Sequence, residues 1–181
     1  MATMSGPSLD DILAERHARL GSGQAGEVVD VDEPSVKLVI FTLAEQRFAL
    51  PGAQVREILA APQVYRVPGA PATLEGVISV RGEIESVLCL RTLLQLPPTT
   101  AGNKAVLLTR GERLHTGLRI DEVIDLCDQP ESALQPAPDT LPGNLRPYVR
   151  HLTELGGRGV SLLDLEALLA AYIGSVARDP A

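Results

Sequence analysis

The residue patterns best suited to chemistry in this 181-residue chain lie near its N-terminus, and none of them completes a site. Gly21, Gly23 and Gly26 satisfy G-x-G-x-x-G, a pattern in which glycines let backbone amides approach a pyrophosphate at the start of a helix. That chemistry needs a strand before the glycines and a helix after them. Here a helical pattern precedes and the acidic stretch GEVVDVDEPS follows, so Gly21 to Gly26 reads as linker, and a nucleotide-dependent enzyme is the weakest functional reading. His17, His115 and His151 have no second His or Cys three or four positions away, and neither G-x-S-x-G nor a Walker A sequence occurs. Asp30, Asp32 and Glu33 start like a calcium loop but lack its glycine and its terminal glutamate, so they read as a solvated acidic run. Cys89 and Cys127 sit among aliphatic residues, where a reduced thiol behaves as a small hydrophobe. No catalytic residue, metal site or cofactor is expected.

Two charged residues stand apart. Glu57 in AQVREIL and Arg81 in ISVRGEI are each set among aliphatic neighbours at the end of a structural element. A solvated loop charge accounts for either one alone. The elements around them carry the argument further.

The chain is 45% hydrophobic with two Phe, three Tyr and no Trp, so its core must be built from branched aliphatics, which favours strands. A net charge of −7 argues against nucleic acid, where affinity comes mainly from cations neutralising phosphates. No apolar run approaches a membrane span and the first ten residues do not resemble a signal peptide, so a cytoplasmic protein is expected.

Residues 1–35 form an N-terminal extension. Ser8 and Asp11 read as a capping box, and Leu9, Ile12, Leu13 and Leu20 share one face of a helix over 8–20, a candidate docking helix. An acidic linker follows over 21–35, with a random-coil reach on the order of 20 Å.

From Val36 the pattern changes to strands: VKLVIFTL, a tight turn at Ala44-Glu45, QRFAL, and a short helical or bent segment AQVREIL. A second copy follows, KAVLLTRGERLHTGLRIDEVIDL from Lys104, in register at Thr42 and Thr109 and, with one residue inserted, at the endings VREI and VIDL. After the first copy come a strand through Val77 to Val80, a turn at Arg81-Gly82, a strand to Leu90 and a helical turn. After the second come a proline-rich loop, a strand from Tyr148, a Gly156-Gly157 turn, the strand GVSLL and a helix from Asp164 to about Tyr172, capped by Asp164. Each half is small for an independent barrel, so the expectation is two barrels, about 36–98 and 103–163, sharing an apolar interface. The C-terminal helix at 164–173 and a tail at 175–181 complete this mainly β fold.

The blocks LVIFTLAEQRFALPGAQVREI, GVISVRGEIESVLCLR, GLRIDEVIDL and LLDLEALL, in that order and spacing, resemble the CheW family of chemosensory coupling proteins over about Val36 to Ile173. The resemblance implies two SH3-like five-stranded β-barrels side by side with short helices, and a non-catalytic adaptor. It implies two partners, the cytoplasmic tip of a methyl-accepting chemoreceptor and the regulatory domain of a CheA-type histidine kinase, with other CheW-like domains as further candidates. It places Val55, Glu57, Gly76 and Arg81 at the receptor contact, with Glu57 and Arg81 close enough to pair. It places Gly117, Ile120, Asp121 and Val123 toward the kinase, with an apolar contact centred near Ile120 and Val123. Recruitment to membrane-associated receptor arrays is implied as well, and the alternative is an accessory scaffold of a non-flagellar pathway that docks other partners through its N-terminal helix. The chain departs from the family where Glu85 and Ser86 replace an apolar residue and a proline and Cys89 replaces an acid. Since an unpaired buried carboxylate costs several kcal/mol, Glu85 is expected to face solvent or to pair with an arginine.

Overall fold

The structure, a computed structural model, describes residues 33–98 and 105–178. The candidate docking residues Leu9, Ile12, Leu13 and Leu20 lie outside the described residues. Eleven strands are described. They are β1 (Ser35–Leu43), β2 (Gln46–Pro51), β3 (Val55–Ala60), β4 (Leu74–Val80), β5 (Glu83–Cys89), β6 (Ala105–Arg110), β7 (His115–Ile120), β8 (Glu122–Pro130), β9 (Gln135–Pro136), β10 (Val149–Leu155) and β11 (Arg158–Leu163). The helices are a single turn, α1 (Leu90–Leu93), and α2 (Leu165–Arg178). Asp164 caps α2 as expected, its carboxylate accepting the Ala167 N–H at 3.1 Å. The helix runs past Tyr172 to Arg178, because Gly174 alone is not enough to stop it.

The strands form two mixed sheets, one of six in the order β8-β1-β2-β11-β10-β9 and one of five in the order β3-β6-β7-β5-β4. These sheets do not divide the chain near residue 100, as the two-halves expectation had it. The third strand of each sequence copy crosses over: β3 pairs with β6 of the second copy, and β8 pairs with β1 of the first. The duplication is real and reciprocal. Ladder partners equate Leu59, opposite Val106, with Leu126, opposite Val39, so the endings align without the inserted residue. The irregularity that suggested an insertion is a β-bulge in each crossing strand, between Val55 and Glu57 in one ladder and opposite Ile40 and Phe41 in the other. The segment AQVREIL resolves into a 3-10 turn, Gly52–Gln54, and strand β3. Part of the expected proline-rich loop is ordered backbone, since β8 extends to Pro130 and β9 pairs with β10.

The copy extends through the hairpins that follow. Counted from their turns, β4–β5 and β10–β11 have the same register and bulge, with Arg81-Gly82 matching Gly156-Gly157 and the helix starts Leu90 and Leu165 also matching. Core placement explains the continuous apolar runs. In β1, Val39, Phe41 and Leu43 point into a cluster shared by both sheets, while Leu38 and Ile40 point into a cluster within their own sheet. β6 repeats this, with Ala105 and Leu107 in the shared cluster and Val106 and Leu108 in the five-stranded sheet's own cluster. A strand buried on both faces must be apolar at every position. Phe41 and Phe48 stand opposite each other with ring centroids 6.2 Å apart, and each such buried side chain contributes about 1.5–3 kcal/mol. The two sheets thus share one apolar cluster, with α1 and α2 packed onto it.

Candidate partner-binding site

The five-stranded sheet curls so that Leu59 of β3 and Ile78 and Val80 of β4, its two edge strands, meet in one apolar cluster. No ladder joins those edges. Toward the chain's mid-strand end, the link after β3 covers β4 through a bridge in which Tyr65 and Val77 exchange two hydrogen bonds of 2.8 Å. Toward the β4–β5 turn the seam is closed by side chains alone.

Two ion pairs span it. The Arg81 guanidinium grips the Glu57 carboxylate with both terminal nitrogens, Nη1 to Oε2 at 2.9 Å and Nη2 to Oε1 at 3.0 Å. This is the pairing expected from sequence. The Arg81 side chain is 79% exposed and Glu57 29%, so the pair adds only about 0–1 kcal/mol to stability. Beside it Arg56, the bulged residue of β3, pairs with Glu85 of β5, which meets the expectation of an arginine partner. Arg56, Glu57, Val80, Arg81, Glu83, Glu85 and Leu108 line a pocket of about 210 Å³ at this seam.

Arg81 occupies an expensive position. Both central residues of its two-residue turn have positive φ, 51° for Arg81 and 86° for Gly82, a backbone region that costs a non-glycine residue about 1–2 kcal/mol. The matching turn carries glycine twice, Gly156 at 59° and Gly157 at 72°. Ala44 and Glu45 also take positive φ, but there the Ala44 N–H is tied to the Asp121 carboxylate at 2.9 Å, an internal compensation. Arg81 is held out toward solvent with its charge presented by Glu57.

The other expected contact residues have structural duties. Gly76 lies under the Tyr65 bridge, where a Cβ would come within 2.2 Å of the Tyr65 carbonyl oxygen. Val55 packs on the shared core. Glu57 and Arg81 are thus the pair that the fold brings together at the surface, while Val55 serves the shared core and Gly76 the Tyr65 bridge.

On the proposed kinase side the expectation of a docking face needs correction. Ile120 is fully buried in the shared core, and Val123 is half-buried against it. Gly117 is packed so closely that a Cβ would meet Val106 at 2.6 Å. β7 lies between β6 and β5 and faces the other sheet, so its apolar residues serve the interior. Asp121 receives the Arg91 guanidinium at 2.8 Å on each oxygen as well as the Ala44 N–H, and Arg91 also donates to the Pro97 carbonyl at 2.7 Å. This network ties α1, the β1–β2 turn and the β7–β8 junction together, and sequence reading did not find it. Nor did it find Arg119, buried in β7 and paired with Glu75 of β4 at 2.8 Å. The signal available was an arginine inside an apolar strand, which needs a carboxylate partner somewhere.

Both cysteines are free and half-buried. Burial pushes the Cys127 thiol above its ordinary value, against a hydrogen bond from Gln129 and with Asp125 and Asp128 adding to the rise. Among the described residues no group of His, Cys, Asp and Glu could hold a metal ion, and no helix is long and apolar enough to cross a membrane.

Comparison with known proteins matches residues 37–172 to the family described as CheW-like domain. The chain is 26% identical to the probable chemotaxis protein CheW of Rhizobium etli over 79% of its own length and 93% of that protein. It is 29% identical to the chemotaxis protein CheW of Klebsiella aerogenes over 81% of its own length and 86% of that protein. The crystal structure of the scaffolding protein TtCheW from Thermoanaerobacter tengcongensis shares its fold, with a TM-score of 0.68 at 21% identity over 75% of this chain and 92% of that one.

Proposed function

The chain belongs to the CheW-like domain family of non-catalytic adaptors in chemotaxis signalling, and from that premise we propose that it couples the cytoplasmic tip of a methyl-accepting chemoreceptor to a CheA-type histidine kinase. The two curled sheets are read as the family's paired SH3-like barrels, and the protein as a cytoplasmic one drawn to receptor arrays. One observation carries the receptor assignment: Arg81, in a backbone conformation that disfavours it, presents a guanidinium aligned by Glu57 at an open seam. Local strain retained at an exposed charge that adds little to stability is a mark of binding function. The geometry suits recognition of a helical hairpin offering carboxylate or amide oxygens, which gives specificity and orientation more than raw affinity.

The kinase-facing role of the Gly117 to Val123 segment is proposed with its surface moved outward. β8 is an edge strand, and its exposed apolar residues Ile124 and Leu126 follow the half-buried Val123. An apolar edge suits strand-to-strand packing against a second small barrel.

Receptor capture tests the reading. The full chain should retain a purified cytoplasmic signalling fragment of a methyl-accepting chemoreceptor on affinity resin, and Arg81→Glu should abolish retention while the melting temperature stays within about 2 °C, as expected for an exposed pair. Retention by the variant at the level of the parent chain would remove the receptor assignment.

A further inference from the structure

We propose that Arg56 and Glu85 are positioning residues of the receptor site, a second clasp that fixes the bulge of β3 and thereby holds Glu57 in the geometry that presents Arg81. The inference deepens the receptor reading and rests on it for its binding arm. The two sheets supply the argument. Counted from the matching turns, Glu85 on β5 occupies the position that Val160 holds on β11, and Val160 is fully buried in the apolar cluster of its own sheet. One copy therefore fills this place with a methyl-bearing side chain, and the other with a carboxylate whose side chain is only 12% exposed, matched by an arginine at 26%.

Stability does not explain the exchange, because a well-packed apolar residue generally serves a partly buried position as well as an ion pair does. Location does. Arg56 is the extra residue of the bulge, and Glu57 is its neighbour in the chain. A bulge redirects the residues beside it, and its geometry is set by whatever anchors the residue that bulges. Arg56 is anchored across the seam to β5, Glu57 to the β4–β5 turn, and both pairs line the same pocket. With Arg56 released, the β3 backbone around Glu57 loses its fixed point and the two-pronged grip on Arg81 loosens.

The test uses the full chain, ¹⁵N-labelled, with Glu85→Val, Arg56→Leu/Glu85→Val and the charge exchange Arg56→Glu/Glu85→Arg. In the free protein, exchange of the Arg81 Nη–H signals, from the two nitrogens that hold the Glu57 carboxylate, reports the grip without any receptor. Binding of the chemoreceptor signalling fragment is measured by calorimetry in parallel. The inference predicts that Arg81 Nη–H exchange accelerates at least fivefold in the first two variants and that the fragment binds at least tenfold more weakly. The double apolar variant keeps the parent melting temperature, and the charge exchange restores both readouts to within about threefold, since only the tether matters. Unchanged Arg81 exchange in the folded double variant, or failure of the charge exchange to restore it, overturns the positioning role. Failure of the parent chain itself to bind the fragment counts against the receptor reading alone, leaving the Arg81 exchange to decide this one.

Discussion

Two hairpins with the same geometry end in different residues. The β4–β5 turn is Arg81-Gly82 and the β10–β11 turn is Gly156-Gly157, yet all four residues have positive φ and the strands behind them match position for position. Where nothing but the turn is required, glycine appears twice, at no steric cost. Where an arginine appears instead, it is gripped by Glu57 and faces solvent. The contrast repeats one layer down, with buried Val160 in one sheet and the ion-paired Glu85 in the other. In its β10–β11 hairpin the six-stranded sheet keeps the choices that favour folding, and its strained Ala44-Glu45 turn is tied to Asp121 inside the fold. The matching β4–β5 hairpin gives them up at Arg81 and Glu85, which supports the proposal that this seam is the working surface.

Substitutions that separate the copies should act in order of burial. The largest effect belongs to the joint between them: Asp121→Ala leaves Arg91, itself 8% exposed, without its carboxylate and the Ala44 N–H without its acceptor. A loss of about 3 kcal/mol is expected in urea unfolding, because an unpaired buried charge is left behind. A loss under 1 kcal/mol would mean that the shared apolar core alone joins the sheets.

A smaller loss, about 2 kcal/mol, is expected for Gly76→Ala, whose Cβ would press into the Tyr65 carbonyl. The matching position in β10 is His151, which carries a full side chain beside β9. His151→Ala should therefore cost less than Gly76→Ala when the two are unfolded side by side. Equal costs would remove the distinction between a bridge that demands glycine and a ladder that does not.

Much of this was legible in the chain. The three two-residue turns were readable, two from a Gly beside a break in alternation and one from spacing, because turn chemistry is local. The apolar runs of β1 and β6 read as strands from their branched side chains, and the Glu57–Arg81 pair followed from the family likeness. The crossing of β3 and β8 was not readable, since an alternating strand looks the same whichever neighbour it pairs with. For the same reason Ile120 passed for a docking residue: alternation shows that a side chain is apolar, not whether it meets a partner or the other sheet. The Arg56–Glu85 and Arg91–Asp121 pairs join residues far apart in sequence, and only the requirement of a partner could be inferred for Glu85.

The turn comparison itself gives the sharpest test of the central claim, that Arg81 is kept for binding against the preference of its backbone. Arg81→Gly copies the turn of the other sheet, and Gly156→Arg does the reverse in open space, where no atom lies within 4 Å of the added Cβ. Relief of about 1 kcal/mol of backbone strain offsets the lost ion pair in the first, and the same strain is added in the second. The measurement is thermal unfolding and calorimetric binding of the chemoreceptor signalling fragment on the same preparation of Arg81→Gly. An unchanged or raised melting temperature with binding reduced at least tenfold is the predicted result. A melting temperature lowered by several degrees with binding intact would show that Arg81 serves the fold rather than the partner and would contradict the account.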